Sequence, residues 1–234
     1  MGTDIHLGLE QFTGSEWLPV NREDWLTDFW DFDQDSEEYK KAREENPRNR
    51  DYGVFGFLAG VRNGFGFAGH KRNDPFDPLF ANRGIPDDTS FRFNSHEDFW
   101  LCPEDHSHTY FSLKEAMKAD WGIAVRHYGY TPLLLWKEWK DSGADTPSMW
   151  CLSGSFEKIS EDEAQSRVDK GMPLGQFMGD SYDSRYDGDW VQCSFVYKPL
   201  LKSSFRRWLL SEKMKNLAEK HGSENLRICM SFDC

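Results

Sequence analysis

The chain has 234 residues and a net charge of −12 at pH 7, from 28 basic and 40 acidic side chains. This length suits one large domain or two small ones and can bury a core without disulfides or structural metal. No run of about 18 apolar residues is present, which excludes a membrane-spanning helix. The excess of acidic side chains argues against binding to duplex nucleic acid.

The first residues and the cysteines indicate a location inside the cell. Met1–Asp4 show neither the basic nor the apolar segment of a secretory signal. Five cysteines are present, and no two of them form a C-x-x-C pair. We therefore expect free, mostly buried thiols in a soluble cytoplasmic protein, and neither a disulfide framework nor a thiolate zinc site.

Alternation of apolar and polar residues predicts strands at both ends of the chain. The first segment, 3–12, has an apolar residue at nearly every second position, and the last segment, 226–233, alternates in the same way. A short return strand is expected over 15–20, after a Thr-Gly turn. A further strand is expected over 190–198.

Helical spacing and capping residues predict several helices between these strands. Ser112 and Glu115 have the spacing of a capping box. The predicted helices cover 22–46 with a break in the acidic stretch 31–35, then 52–61, 112–120, 132–140, 160–171 and 203–221. Together these elements predict a single α+β domain over 1–234. Its sheet is expected to be mainly antiparallel, to include both chain termini and to carry flanking helices.

Residues 62–109 are predicted to form a long loop region. The segment lacks periodicity and combines many glycines and prolines with phenylalanines, whose burial requires order. We expect an ordered, aromatic-rich loop region that shapes a substrate pocket. Gly64–Gly69 matches the pattern G-x-G-x-x-G, but no helix is expected after it, so we exclude a dinucleotide site there.

The first polar cluster lies on the first predicted strand. Asp4 and His6 are two residues apart on its polar face, where a carboxylate and an imidazole can bind one cation. If the last strand pairs beside the first, Asp233 joins them. We expect Asp4, His6 and Asp233 as metal ligands and Glu10, further along the same face, as a catalytic group. The alternative is a strand face that is merely solvated.

The second polar cluster precedes the capping box. In extended backbone His106 and His108 share one face and would serve as catalytic acid–base groups or as metal ligands. The alternative is a polar loop whose histidines hydrogen-bond to turns. Combined with the first cluster, these residues would form a pocket suited to Zn, Mn or Fe. A metal ion there would lower the pKa of a bound water and polarise a phosphoryl oxygen.

Three residues of the loop region are candidates for binding an anionic substrate. They are Arg62, Asn63 and Arg83. The arginines suit this role because a guanidinium makes bidentate contacts with phosphate. The alternative for each arginine is a salt bridge or a loop tether.

The chain resembles a group of uncharacterised bacteriophage and prophage proteins that begin M-G-x-D-I-H. The resemblance rests on Met1–His6, Phe57–Asn63, Arg83–Asp88, His106–His108 and the terminal Phe232-Asp233. It implies a phage-encoded accessory protein that acts inside the infected bacterial cell. It supplies no mechanism.

Two classes of function remain open at this point. The first is a metal-dependent hydrolase that acts on a phosphate-bearing small molecule or nucleotide. The second is a non-catalytic anti-defence or host-interaction protein that blocks a host protein or sequesters a small signalling ligand. Convergence of Asp4, His6 and the two loop histidines within reach of one metal ion would distinguish the first class from the second.

Overall fold

The computed structural model of the protein describes residues 4–27, 32–47, 51–66, 69–80, 82–91, 105–178 and 185–233. Within these ranges the chain forms eight α-helices and nine β-strands, and most strand pairs are antiparallel. In chain order the elements are β1 (Ile5–Phe12), β2 (Trp17–Pro19), α1 (Arg22–Trp25), α2 (Glu37–Glu45), α3 (Tyr52–Ala59), β3 (His106–Ser112), α4 (Leu113–Lys118), β4 (Val125–Pro132), α5 (Leu133–Ser142), β5 (Lys158–Ile159), α6 (Glu161–Asp169), β6 (Gln176–Met178), β7 (Arg185–Asp187), β8 (Trp190–Tyr197), α7 (Ser204–Leu209), α8 (Glu212–His221) and β9 (Leu226–Phe232). The predicted α+β class is confirmed.

The chain divides into two compact units. Unit 1 comprises Met1–Asn63, Phe76–Ile123 and Pro199–Cys234, and unit 2 comprises Gly64–Pro75 and Ala124–Lys198. The expectation of one domain over the whole chain stays a prediction.

The sheet of unit 1 contains both terminal strands, as predicted. Its strand order is β2-β1-β9-β3, and every neighbouring pair is antiparallel. Leu9 lies opposite Ile228 in the register of β1 with β9, and both side chains are buried on the core face. Phe55 of α3 packs on the same face, with its ring centroid 5.1 Å from that of Phe232. The core of unit 1 thus lies between this face and α3.

Local capping explains where several helices begin and end. Helix α3 begins at Asp51, whose side chain accepts hydrogen bonds from two backbone N–H groups, and ends at Gly60 with a φ of 70°. The predicted capping box of Ser112 and Glu115 is present at the start of α4. The predicted single helix over 203–221 is wrong, because Ser211 caps a second helix and the segment divides into α7 and α8.

The predicted long loop is largely confirmed within the described residues. Residues 62–66, 69–80 and 82–91 contain no α-helix and no strand longer than an isolated bridge. The predicted end of the loop near Thr109 is wrong, because His106–Ser112 pairs with β9 and forms β3. The predicted break within 22–46 is also present, since 32–35 lies outside any helix.

Unit 2 has a three-stranded sheet of its own. Its order is β4-β8-β5, with β4 antiparallel and β5 parallel to β8, and β6 and β7 form a separate two-stranded ribbon. The core includes Leu133 and Trp136 of α5 together with Val191 and Phe195 of β8. None of the described helices in either unit is both long and apolar enough to cross a membrane.

Candidate functional site

The pairing of the first and last strands brings Asp4, His6 and Asp233 together. Asp233 N–H donates to the carbonyl oxygen of Asp4 at 3.2 Å, and Asp4 N–H donates to Asp233 Oδ1 at 2.6 Å. The other carboxylate oxygen, Asp233 Oδ2, lies 3.4 Å from His6 Nε2. This is the juxtaposition that the strand alternation predicts.

The His6 and Asp233 side chains are accessible from outside the protein. They are 28% and 41% exposed, so solvent or a small ligand can reach them. Because His6 turns Nε2 towards the carboxylate, Nδ1 is the ring nitrogen on the other side, away from Asp233. A histidine oriented in this way by a carboxylate is suited to bind a metal ion or to accept a proton.

A third carboxylate, in addition to Asp4 and Asp233, reaches the same end of the sheet from the start of β3. Ser231 lies opposite His6 in the register, and its hydroxyl donates to Asp105 Oδ2 at 2.5 Å. Ser231 is fully buried, so this contact fixes Asp105 against β9. Asp105 was not among the predicted site residues, although it directly precedes the His-Ser-His segment.

A β-bulge in β3 separates the two histidines of that segment. The register with β9 shifts after His106, so that Ser107 and His108 both stand opposite one residue, Ser231. Ser107 has a positive φ of 56°, the left-handed conformation that one type of bulge adopts at its first residue. His106 lies opposite Phe232, and the two rings stack with 6.5 Å between their centroids. The expectation that His106 and His108 share one face is therefore wrong.

His108 carries an unsatisfied polar atom. Its Nε2 is buried and has no hydrogen-bond partner among the described residues. Burial lowers the pKa of His108, the nearby Asp105 carboxylate raises it, and His106 lowers it further, with burial the dominant cause. Burial therefore favours the neutral form of the His108 imidazole, which can accept a proton.

Glu10 lies on the same sheet face but is completely buried and anchors the loop region. Its Oε1 accepts hydrogen bonds from Thr89 Oγ1 and from the backbone N–H and hydroxyl of Ser90, at 2.6–2.8 Å. Its Oε2 accepts from Arg227 Nε at 2.7 Å. These contacts fix 89–90 against the sheet, so the carboxylate predicted to be catalytic makes structural contacts here.

Arg227 extends this network towards the surface. Its Nη1 donates to Asp88 at 2.7 Å, and its guanidinium carbon lies 4.0 Å from the ring centroid of Trp17. The hydrogen bond from Arg227 holds the pKa of the Asp88 carboxyl below its usual value. The network ties 88–90 to β1 and β9 of unit 1.

The predicted anion-binding residues contact other parts of unit 1. Asn63 donates through Nδ2 to the carbonyl oxygen of Phe76 at 2.7 Å and accepts from Phe76 N–H at 2.8 Å. Arg83 donates to both carboxylate oxygens of Glu115, at 3.2 and 2.8 Å. The guanidinium of Arg62 lies 5.1 Å from the ring centroid of Tyr52. For Arg83 these contacts match the loop-tether alternative.

The hydrogen bonds around Glu115 change its acidity. The side-chain hydrogen bond from Arg83 is the largest cause, and the backbone and hydroxyl of Ser112 add to it against the opposing effect of burial. Together they lower the pKa of Glu115 to about 2. The pair therefore stays charged at any pH at which the protein is normally handled.

The expected five-residue metal pocket is not assembled in the part of the chain that the structure describes. No group of three or more His, Cys, Asp or Glu side chains there is arranged to hold a metal ion. The clusters do meet at one end of the sheet, where His6 and Asp233 face outward, Asp105 is bound to β9, and His106 points to the opposite face.

No family model matches the chain, and no curated protein or solved structure matches it either. The function proposed below therefore rests on the geometry of the site and on the chemistry of its residues.

Proposed function

We propose that the chain is a small hydrolase that uses a divalent metal ion, Zn, Mn or Fe, at the His6–Asp233 end of the unit 1 sheet. The observation that carries this proposal is the 3.4 Å contact between His6 Nε2 and Asp233 Oδ2. A carboxylate at one ring nitrogen fixes the orientation of a metal-binding histidine and makes the other nitrogen a better ligand.

The proposal gives Asp233 an orienting role in place of the ligand role expected from the sequence. Asp233 Oδ1 is held by Asp4 N–H and Oδ2 by His6 Nε2, so both oxygens are already engaged. The protein ligands would then be His6 Nδ1 and the Asp4 carboxylate. Water and substrate would fill the other positions, as in catalytic metal sites that keep open positions.

His108 is the proposed proton acceptor. Burial favours the neutral form of its imidazole, and it stands opposite Ser231, which in turn lies opposite His6. A neutral imidazole beside a reacting water can take its proton as the bond to substrate forms. His106 has no part in this proposal, because it stacks on Phe232 at the other face.

The proposed substrate is a phosphate-bearing small molecule or nucleotide. A bound divalent metal ion lowers the pKa of its water and polarises a phosphoryl oxygen, which together favour hydrolysis of phosphate esters. The proposal needs no contact from Asn63 or Arg83, whose polar atoms already have partners in unit 1.

We also propose that the protein acts in the cytoplasm of an infected bacterium. Cys151, Cys193 and Cys229 are free thiols. Burial raises the pKa of Cys193 to about 12, so it is kept as an unreactive thiol. Free cysteines are typical of a reducing compartment, and the resemblance to phage proteins indicates the kind of cell.

A second candidate function is non-catalytic binding of a host protein. It is favoured by the β6–β7 ribbon, where Phe177 and Met178 are 37% and 49% exposed. Successive side chains of a strand point to opposite faces, so each face of the ribbon offers one exposed apolar side chain that a partner protein would cover. Under this alternative, F177S and M178S abolish binding to the host protein, whereas H6N retains it.

A phosphatase assay tests the hydrolase proposal. Wild-type protein, H6N and D233N are incubated with p-nitrophenyl phosphate, its diester and the common nucleotides, with Mn, Zn or Mg added in turn. We expect metal-dependent hydrolysis, abolished in H6N and lowered about 10- to 100-fold in D233N, the usual loss for a residue that orients a metal ligand.

The control H70N changes an exposed histidine of unit 2 and should leave the rate unchanged. No hydrolysis with any metal, or equal rates in H6N and wild type, would refute the proposal.

A further inference from the structure

The sheet of unit 2 has one face in the core and one face towards solvent. Along β8 the side chains of Val191, Cys193 and Phe195 are buried, whereas those of Gln192 and Val196, which point to the opposite face, are exposed. Strand β4 alternates in phase with β8. The face that carries Gln192 and Val196 is called the outer face here.

Aromatic side chains are concentrated on this outer face. Tyr130 stands opposite Gln192, and Tyr128 stands opposite Ser194, so both tyrosines share the face of the exposed β8 residues. Phe156 stacks on Trp190 with 4.3 Å between ring centroids and an interplanar angle of 14°. The ring of Phe156 also lies 5.6 Å from that of Tyr130. Four rings therefore form one half-exposed patch.

Three cations lie on or beside these rings. Lys71 Nζ is 4.1 Å from the ring centroid of Tyr128, and Lys158 Nζ is 5.2 Å from that of Tyr130. Arg126 stands on the same face of β4, and all three basic side chains are exposed.

A carboxylate accompanies these cations. Asp74 accepts a hydrogen bond from the Tyr128 hydroxyl at 2.8 Å and lies 3.4 Å from Lys71 Nζ. Lys71, Arg126 and Lys158 outnumber the acidic side chains beside the rings, Asp74 and the exposed Glu157, in a chain of net charge −12.

We propose that the outer face of unit 2 binds a segment of single-stranded nucleic acid. Aromatic rings on an open sheet face let successive bases stack, and nearby cations neutralise the phosphates between them. In the unbound state the ammonium groups of Lys71 and Lys158 lie over rings on which bases would stack. A base that enters displaces the ammonium group, which then pairs with the phosphate.

The charge distribution favours a single strand as the occupant of this face. Once displaced from the ring faces, the ammonium groups of Lys71 and Lys158 would lie beside the rings, where the phosphates of a stacked strand would run. In a duplex the faces of the bases are covered by neighbouring base pairs, so the rings would make no stacking contacts. This proposal does not depend on the hydrolase site of unit 1.

Fluorescence anisotropy with labelled oligonucleotides tests the proposal. The probes are a 15-nucleotide oligo-dT, an oligo-U of the same length and a duplex of the same length, at about 50 mM salt. We expect saturable binding of the single strands that is at least about tenfold tighter than that of the duplex. Y130A should weaken binding about tenfold, the typical effect of removing one stacking ring. K158E should weaken it further and reduce its salt dependence.

A control variant and two exposed lysine variants separate loss of binding from loss of fold. K170A removes an exposed cation at the end of α6, away from the rings, and should bind as wild type does. K71E and K158E change exposed side chains, so they keep the test valid even if Y130A does not fold. The proposal is wrong if wild type binds no single strand or binds the duplex equally well. It is also wrong if both lysine variants bind as wild type does, or if uridine monophosphate competes as well per nucleotide as oligo-U.

Discussion

Glu10 and Arg227 are 217 residues apart in the chain and form a buried ion pair, with 2.7 Å between Glu10 Oε2 and Arg227 Nε. The pair joins the first and last strands of unit 1 on the face that also carries His6 and Ser231. Trp17 covers the guanidinium, so solvent has little access to either charge.

Removal of one partner of this pair should strongly destabilise unit 1. In R227M the Glu10 carboxylate stays buried without its cation, and breaking a buried pair in this way typically costs about 3–5 kcal/mol. We expect a corresponding decrease in the free energy of unfolding, measured with urea at pH 7. K114A, which removes a more exposed cation of unit 1, should change it by less than about 1 kcal/mol.

Replacement of both partners should cost less than the sum of the single changes. In the double variant E10L/R227M neither charge is buried alone, so the desolvation penalty disappears from the folded state. We expect a coupling free energy of about 1–3 kcal/mol in the double-mutant cycle. Additive single effects would show that the two side chains act independently.

A second prediction concerns the acidity of Glu115. Arg83 is the main cause of its lowered pKa, and the Ser112 hydrogen bonds would remain without Arg83. NMR titration of R83M should therefore give a pKa above about 2 but still below the usual value of 4.5. A depressed pKa stabilises the folded state above pH 4.5, and this stabilisation is lost as the pH falls through about 2. Because Glu115 is 41% exposed, its contribution should stay below about 1 kcal/mol.

The sequence predicts the architecture best where local signals agree with the fold. The terminal strands alternate with a period of two residues, and a capping box marks the start of α4. The predicted bounds of β1, α4 and β9 therefore lie within two residues of the observed bounds. The sequence predicts one helix over 203–221 where the structure has α7 and α8. The division was not predictable, because Ser211 is a helix cap only when the chain turns there. The sequence does not predict β4, because its buried face carries His127, Gly129 and Thr131 in place of a regular series of apolar residues.

A third prediction concerns the pH dependence of unit 2. His127 is fully buried, and neither ring nitrogen has a hydrogen-bond partner among the described residues. Burial, with a smaller effect of Arg72, lowers its pKa to about 4 from 6.5. The folded protein therefore keeps His127 neutral while the unfolded chain takes up a proton below pH 6.5. Stability should fall between pH 6.5 and pH 4, by up to about 3 kcal/mol.

Comparison with H127F isolates this effect. Phenylalanine retains the contacts with the rings of Trp150, Phe195 and Tyr197 and cannot be protonated. Between pH 7 and pH 5 the free energy of unfolding of wild type should fall by about 2 kcal/mol more than that of H127F. An equal decrease in the two proteins would show that His127 does not control the response.

The candidate site was only partly predictable from the sequence. Alternation places Asp4, directly before β1, and His6, within β1, on one face. Asp233 joins them because β9 pairs with β1. The β-bulge at Ser107 could not be predicted, because its positive φ depends on how β3 meets β9. The hydrogen bonds of Asn63 to Phe76 and of Arg83 to Glu115 could not be predicted either, since these partners are distant in sequence.

Metal analysis of the purified protein tests the hydrolase proposal most directly. The protein is prepared without a histidine tag, dialysed, and analysed by elemental mass spectrometry beside H6N and the control H70N. We expect about one Zn, Mn or Fe per chain in wild type and H70N, and none in H6N, whose fold is checked by circular dichroism. Wild-type protein that contains no metal and takes up none in calorimetric titration, or H6N that retains the wild-type content, would contradict the proposal.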